Sequence, residues 1–246
     1  MANDQQVSTI GRRVGAVLEI VAAIAGLFVA AAMLGAIVAP LLPAKLVTPV
    51  LGLSMWGAVF AGWLLLRRSG SSYSKLGLAR PISWSKSLGW AAVAVVASEL
   101  GVAGLGVLIH AATDWPPLDT RYIRLSIEGD PLAYLVWITL VVWGSAAFGE
   151  ELLARGFLLD RLRIVFGGKP AGMAVAILLQ AAIFGALHAV QGPTGMVLTA
   201  YVGVVLALVY VASGRNLWAP IIAHGFMDST SLTLMFFGIP LWGYIK

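Results

Sequence analysis

The sequence predicts an all-α, polytopic membrane helix bundle of about seven to eight transmembrane helices, and three observations predict it. Apolar residues make up 60% of the 246 positions and charged residues only 11%, against about 25% charged in ordinary soluble domains. Mean hydropathy is +0.92, so a soluble fold could not cover its own surface and lipid must cover it instead. Strand-period alternation is absent, which excludes a β-barrel reading.

Seven apolar stretches, at about 14–38, 47–66, 87–111, 131–149, 171–190, 194–213 and 217–239, are each long enough to cross roughly 30 Å of hydrocarbon as a helix. The first is too long for a signal-peptide core and is read as a retained span. Segment 68–87 is too polar to span and is expected as a loop with a short interfacial helix. Segment 115–131 is expected as an ordered outer loop, since Pro116 and Pro117 oppose helix. Gly167, Gly168 and Pro170 mark a helix stop and restart. Two parts of one membrane domain are expected: residues 1–130, the N-terminal helices and loops, and 131–246, which carry the chemistry.

The net charge of +5 is no nucleic-acid signal, because the basic residues flank apolar runs and set orientation. Residues 67–86 hold Arg67, Arg68, Lys75, Arg80 and Lys86 with no acid. Residues 112–130 mix Asp114, Asp119, Glu128 and Asp130 with Arg121 and Arg124, and 155–169 are again basic. With Arg12 and Arg13, this alternation predicts a cytoplasmic N-terminus. The absence of cysteine excludes disulfides, a thiol nucleophile and cysteine-ligated metals.

Ionisable groups inside spans are costly and mark function or internal pairing. Glu19 and Glu99 each sit alone in an apolar run and are read as neutral or water-contacting carboxyls facing the bundle; His110 lies at a helix end. Three later clusters differ. Glu150 and Glu151 are adjacent acids, and Arg155 sits one helical turn beyond Glu151, placed to pair with it. That leaves Glu150 on a neighbouring face, poised for proton transfer. Phe184 and His188 share a face at i, i+4, and so do His224 and Asp228. Glu150 lies 18 residues before Gly168 and His188 lies 20 after it, so in a hairpin both sit about 27–30 Å from the turn. His224 lies only about 14 Å from the Gly214-Arg215 turn. Tilt, or a turn sunk into the membrane, must close that gap.

In order, EELLAR (150–155), FGALH (184–188) and HGFMD (224–228) resemble the signature of the CPBP family, the CAAX-protease and bacteriocin-processing (Abi) intramembrane endopeptidases, similar to Ras-converting-enzyme-type CAAX prenyl proteases. LGLARP at 76–81 resembles a stretch common ahead of the catalytic half. The resemblance implies that Glu150 activates water, that His188 holds that water or shares its proton, and that His224 and residue 228 stabilise the oxyanion. Glu151, Arg155 and Phe184 support the site. It further implies hydrolysis near the C-terminus of a membrane-attached protein or peptide, which in eukaryotic relatives is prenylated and loses its last three residues.

One position departs from the family pattern: Asp228 stands where well-studied members carry asparagine. An ionised carboxylate repels an oxyanion, so Asp228 must be protonated, orient His224, or ligate a metal. Glu150, His188, His224 and Asp228 are a donor set able to hold zinc with an open position, although no HExxH is present. A metal-free and a metalloprotease-like mechanism therefore both stand at this point. Serine and aspartyl intramembrane chemistries lack their residues. Beside the peptidase stand a non-catalytic membrane scaffold of the same fold and a proton-coupled transporter, for which no inverted repeat is visible. The expected partners are membrane lipids and a membrane-anchored or prenylated substrate, with no nucleic acid. Ala-, Gly- and Trp-rich composition without cysteine points to a bacterial cell membrane.

Overall fold

The computed structural model describes residues 2–239, with side chains from residue 9 onward; residues 240–246 of the expected second part lie outside the described residues. Among the described residues every regular element is a helix: α1 (Ala2–Met33), α2 (Ala44–Gly52), α3 (Met55–Arg68), α4 (Trp84–Ala112), α5 (Arg121–Ile127), α6 (Pro131–Phe166), α7 (Pro170–Ala186), α8 (Gly192–Ala212) and α9 (Trp218–Phe236). All seven expected apolar runs are helical. Five stretches are long and apolar enough to cross a membrane: Thr9–Leu41, Ala44–Arg68, Trp84–Ala112, Pro131–Phe166 and Ala189–Ala212. The other two fall short for physical reasons. α7 has 17 residues, and the apolar run of α9 is broken by His224, Asp228 and the hydroxyls that follow them.

α6 is the backbone of the fold. It starts where Asp130 Oδ1 accepts hydrogen bonds from the amides of Leu132 and Ala133 with Pro131 in the first turn, a strong N-terminal signal. It ends at Gly167, whose φ of +87° suits glycine. From Trp137 to Glu150, and again from Leu152 to Leu158, its turns are wider than α, a winding often found at functional sites.

Small residues bring the spans together. Gly26 and Ala30 of α1 meet Gly57 and Ala61 of α3, and a Cβ on Gly26 would strike the carbonyl oxygen of Gly57 at 2.8 Å. This is the small-xxx-small packing that membranes favour, because apolar side chains gain nothing there by leaving lipid. One core draws on Ile20, Val59, Leu66, Phe157, Leu162, Ile177, Ala207 and Ile221, so both expected parts contribute to it. Leu18, Phe28, Leu100 and Leu178 stay exposed, as lipid-facing side chains should.

The polar segment after α3 folds beneath the α8–α9 turn. Tyr210 donates to the carbonyl of Leu76 at 2.8 Å, and the Trp218 indole donates to that of Leu78 at 3.1 Å. The amide of Leu217 donates to Gly77 at 3.0 Å. Leu217 is fully buried. α4 and α9 start at this same end and run parallel, fixed by Asn216 donating to Ser87 Oγ at 2.6 Å and by Trp84 packing edge-on against Trp218. Glu19, expected as a neutral or water-contacting carboxyl facing the bundle, lies against Arg161 of α6 at 2.5 Å. Segment 115–131 is ordered as expected, with Ile127 packed among Trp137, Val142, Leu232 and Met235.

Gly77 has φ +106°, and a Cβ there would collide with the carbonyl oxygen of Arg215. Gly77→Ala is therefore expected to destabilise by about 2 kcal/mol or more, read as a lower thermal midpoint in detergent. Gly89→Ala, in open helical space, should hold or raise the midpoint. Equal midpoints for the two variants would contradict the docking of this loop under α9.

Candidate functional site

The site is built on residues 150–155, past the middle of α6. Arg155 Nη1 donates to Glu151 Oε1 at 2.6 Å, and both side chains are fully buried. Arg155 also donates through Nη2 to the carbonyl of Gly203 on α8, and its guanidinium lies 4.6 Å over the Phe184 ring of α7. Glu151 Oε1 accepts a second hydrogen bond, from His224 Nδ1 on α9 at 2.8 Å. One carboxylate oxygen thus joins α6 to α9, and the arginine it holds reaches α7 and α8.

Because Nδ1 of His224 points at Glu151, Nε2 points the other way. It lies 3.5 Å from Asp228 Oδ2 and 4.0 Å from Glu150 Oε2. Glu150 is mostly buried, and its Oε2 has no hydrogen-bond partner among the described residues. A gap of 4.0 Å is too long for a direct hydrogen bond and suits two groups that share one water molecule. Glu150 is the unclamped member of its pair: its neighbour takes the arginine and the histidine.

Two features bring His224 to the depth of Glu150. The turn before α9 rests on the Gly77 loop, with the Leu217 amide donating to the Gly77 carbonyl and the Leu217 side chain fully buried. Gly225, next to His224, faces Trp143 of α6, and a Cβ there would lie 2.6 Å from the indole ring. Only glycine lets α9 approach α6 this closely.

His188 is placed differently. It follows the end of α7, and its Nδ1 donates to the carbonyl of Phe184 at 2.8 Å, which turns Nε2 to the opposite side of the ring. Its ring packs on Phe184 with centroids 4.9 Å apart, and Phe184 in turn lies edge-on to His224 at 6.3 Å. No hydrogen bond or ion pair joins His188 to Glu150 among the described residues. The structure therefore brings Glu150, Glu151, Arg155, Phe184, His224 and Asp228 into one cluster, with His188 joined to it through Phe184. Among the described residues no three His, Asp or Glu side chains are grouped as ligands of one metal ion.

Sequence spacing does not place three further residues near the site. Glu99 of α4 lies close enough to Asp228 for their charges to repel, at a level set by the parallel α4–α9 register. Tyr122 of α5 hydrogen-bonds Gln191; burial, with smaller contributions from the charges of Asp119, Glu150 and Asp228, pushes its phenol up. Gln191 also accepts, through its backbone carbonyl, from the amide of Asp119 at 3.2 Å. The outer loop is thereby fastened to the turn that follows His188. Glu99 was visible in the sequence as a lone carboxylate; only tertiary structure supplies its neighbour.

Residues 132–230 match the family of type II CAAX prenyl endopeptidases, Rce1-like, and this stretch contains all three motifs. No curated protein and no solved structure matches the chain.

Removing the guanidinium would leave Glu151 buried with only His224. Arg155→Ala is expected to cost about 3–5 kcal/mol, measured as loss of thermal midpoint or of folded yield in detergent. Glu150→Gln, which breaks no direct bond, should fold like wild type. Equal stability of Arg155→Ala and wild type would contradict the clamp.

Proposed function

We propose, from the match of residues 132–230 to the Rce1-like type II CAAX prenyl endopeptidases, that the protein is an intramembrane endopeptidase of the CAAX-protease (CPBP) family in which Glu150 activates water. The observation that carries this reading is the Glu150 carboxylate oxygen, without a bonded partner and 4.0 Å from an imidazole nitrogen. That imidazole is fixed from behind by a buried carboxylate–arginine pair.

In the proposed reaction, water held between Glu150 and the histidines attacks the scissile carbonyl carbon. Glu150 takes the water proton as the C–O bond forms. The carbonyl oxygen becomes an oxyanion, which His224 meets with Nε2–H while Nδ1–H stays on Glu151. Glu150 then returns the proton to the amide nitrogen, the C–N bond breaks, and the amine leaves. His188 orients the water through its Nε2.

Asp228 takes the orienting role among those left open by the sequence. Its Oδ2 is 3.5 Å from His224 Nε2, so it aims the ring rather than donating to the oxyanion as asparagine would. The substrate class is a membrane-attached protein or peptide cut near its C-terminus, with a prenylated protein the first candidate and leader peptides the second. Arg12, Arg13 and Arg163 meet at one end of the bundle, which supports a cytoplasmic N-terminus under the positive-inside rule.

The test is cleavage of a farnesylated CAAX peptide and of a leader-peptide panel by detergent-purified protein. Glu150→Gln is expected to lower turnover by about 10²–10⁴-fold, the usual worth of a general base. A chelator should leave the wild-type rate unchanged. Cleavage by Glu150→Gln at the wild-type rate would refute the assignment, and chelator-sensitive activity restored by zinc would replace it with a metal mechanism.

A further inference from the structure

At the basic end of the bundle, the start of α1 meets the last turns of α6. Between them lies a cavity of about 250 Å³ lined by Thr9, Arg12, Arg13, Arg163 and Ile164. Its lining holds three guanidinium groups and no carboxylate.

The nearby acids are already engaged. Asp160 accepts from Arg161 at 2.8 Å and from Arg163 at 3.1 Å, and Glu19 takes Arg161 at 2.5 Å. Four arginines (12, 13, 161 and 163) against two acids (19 and 160) leave a local charge of +2. Among the described residues neither Arg12 nor Arg13 has an acidic partner. The Nε of Arg163 is buried and has no hydrogen-bond partner among them.

The depth of the cavity narrows the ligand. Arg12 and Arg13 immediately precede the first apolar run, and Arg163 lies three residues before the end of the Pro131–Phe166 span. All three therefore sit at the level of lipid headgroups. Directly below, α1 turns Val14, Val17, Leu18 and Val21 outward. A ligand with a phosphate at the top and acyl chains beneath would meet complementary surface along its whole length; free phosphate would use only the upper part. Guanidinium groups bind phosphate oxygens in bidentate pairs, and basic pockets between membrane helices take anionic headgroups.

The geometry points to Arg12, Arg13 and Arg163 as a specific binding site for the phosphate of an anionic phospholipid, with its acyl chains along the outward face of α1. The site is separate from the Glu150 cluster and does not depend on the peptidase reading.

Native mass spectrometry of the protein in neutral detergent, titrated with phosphatidylglycerol, phosphatidylcholine or inorganic phosphate, tests it. Phosphatidylglycerol is expected to bind about ten-fold or more tightly than phosphatidylcholine, equivalent to about 1.4 kcal/mol. Arg12→Gln/Arg13→Gln should abolish that preference; both side chains are exposed, so the fold should persist. Arg67→Gln/Arg68→Gln removes the same charge from a span end outside the cavity and should retain the preference. Millimolar inorganic phosphate should not displace the lipid. Equal binding of the two lipids, equal loss in both double variants, or displacement by free phosphate would each overturn the proposal.

Discussion

A single carboxylate oxygen, Glu151 Oε1, receives hydrogen bonds from Arg155 on its own helix and from His224 on the last one. All three groups are buried, so none can exchange its partners for water. A lone charge in that position would cost several kcal/mol, whereas a fully hydrogen-bonded set offsets much of its own desolvation. The set works only while α6, α7, α8 and α9 hold their places, since Phe184 and Gly203 complete the surroundings of the guanidinium. The polar clamp and the helix packing therefore enforce each other.

Several otherwise unrelated features serve this constraint. The Gly77 loop tucks under the α8–α9 turn and lets a short helix carry His224 deep into the bundle. Gly225 removes the side chain that would hold α9 away from Trp143. A Cβ on Gly203 would lie 3.2–3.3 Å from Ala181 and Phe184, so glycine eases the packing of α8 on α7 while its carbonyl accepts from Arg155. With Glu151 committed to these bonds, Glu150 is the acid left facing His224 Nε2, and the two adjacent glutamates acquire different tasks.

Much of this was legible in the sequence. Hydropathy marks the spans because lipid demands long apolar helices, and the Glu151–Arg155 pair follows from helical spacing alone. The contact between His224 and Glu151 was not legible. It joins residues 73 apart and depends on a turn whose depth is set by Gly77, Asn216 and Ser87, none of which has a local signature. Of the seven apolar runs, five are long and apolar enough to cross a membrane by length and composition; α7 is short, and α9 gives up part of its apolar run to the polar residues of the site. Glu99 and Tyr122 escaped for a similar reason: their relation to the site is fixed by helix register and by an outer loop, not by sequence spacing. Hairpin arithmetic put His188 at the depth of Glu150; what it could not give is the ring's orientation, since the Phe184 carbonyl captures Nδ1 at the helix end.

In the proposed reaction Glu150 activates water rather than attacking the peptide itself. A single-turnover reaction in ¹⁸O-labelled water, with mass analysis of the new C-terminal carboxylate, separates these directly. Incorporation of one ¹⁸O into the product during the first turnover is the predicted result. Unlabelled first-turnover product would contradict the account, because the oxygen would then have come from the enzyme through a covalent intermediate.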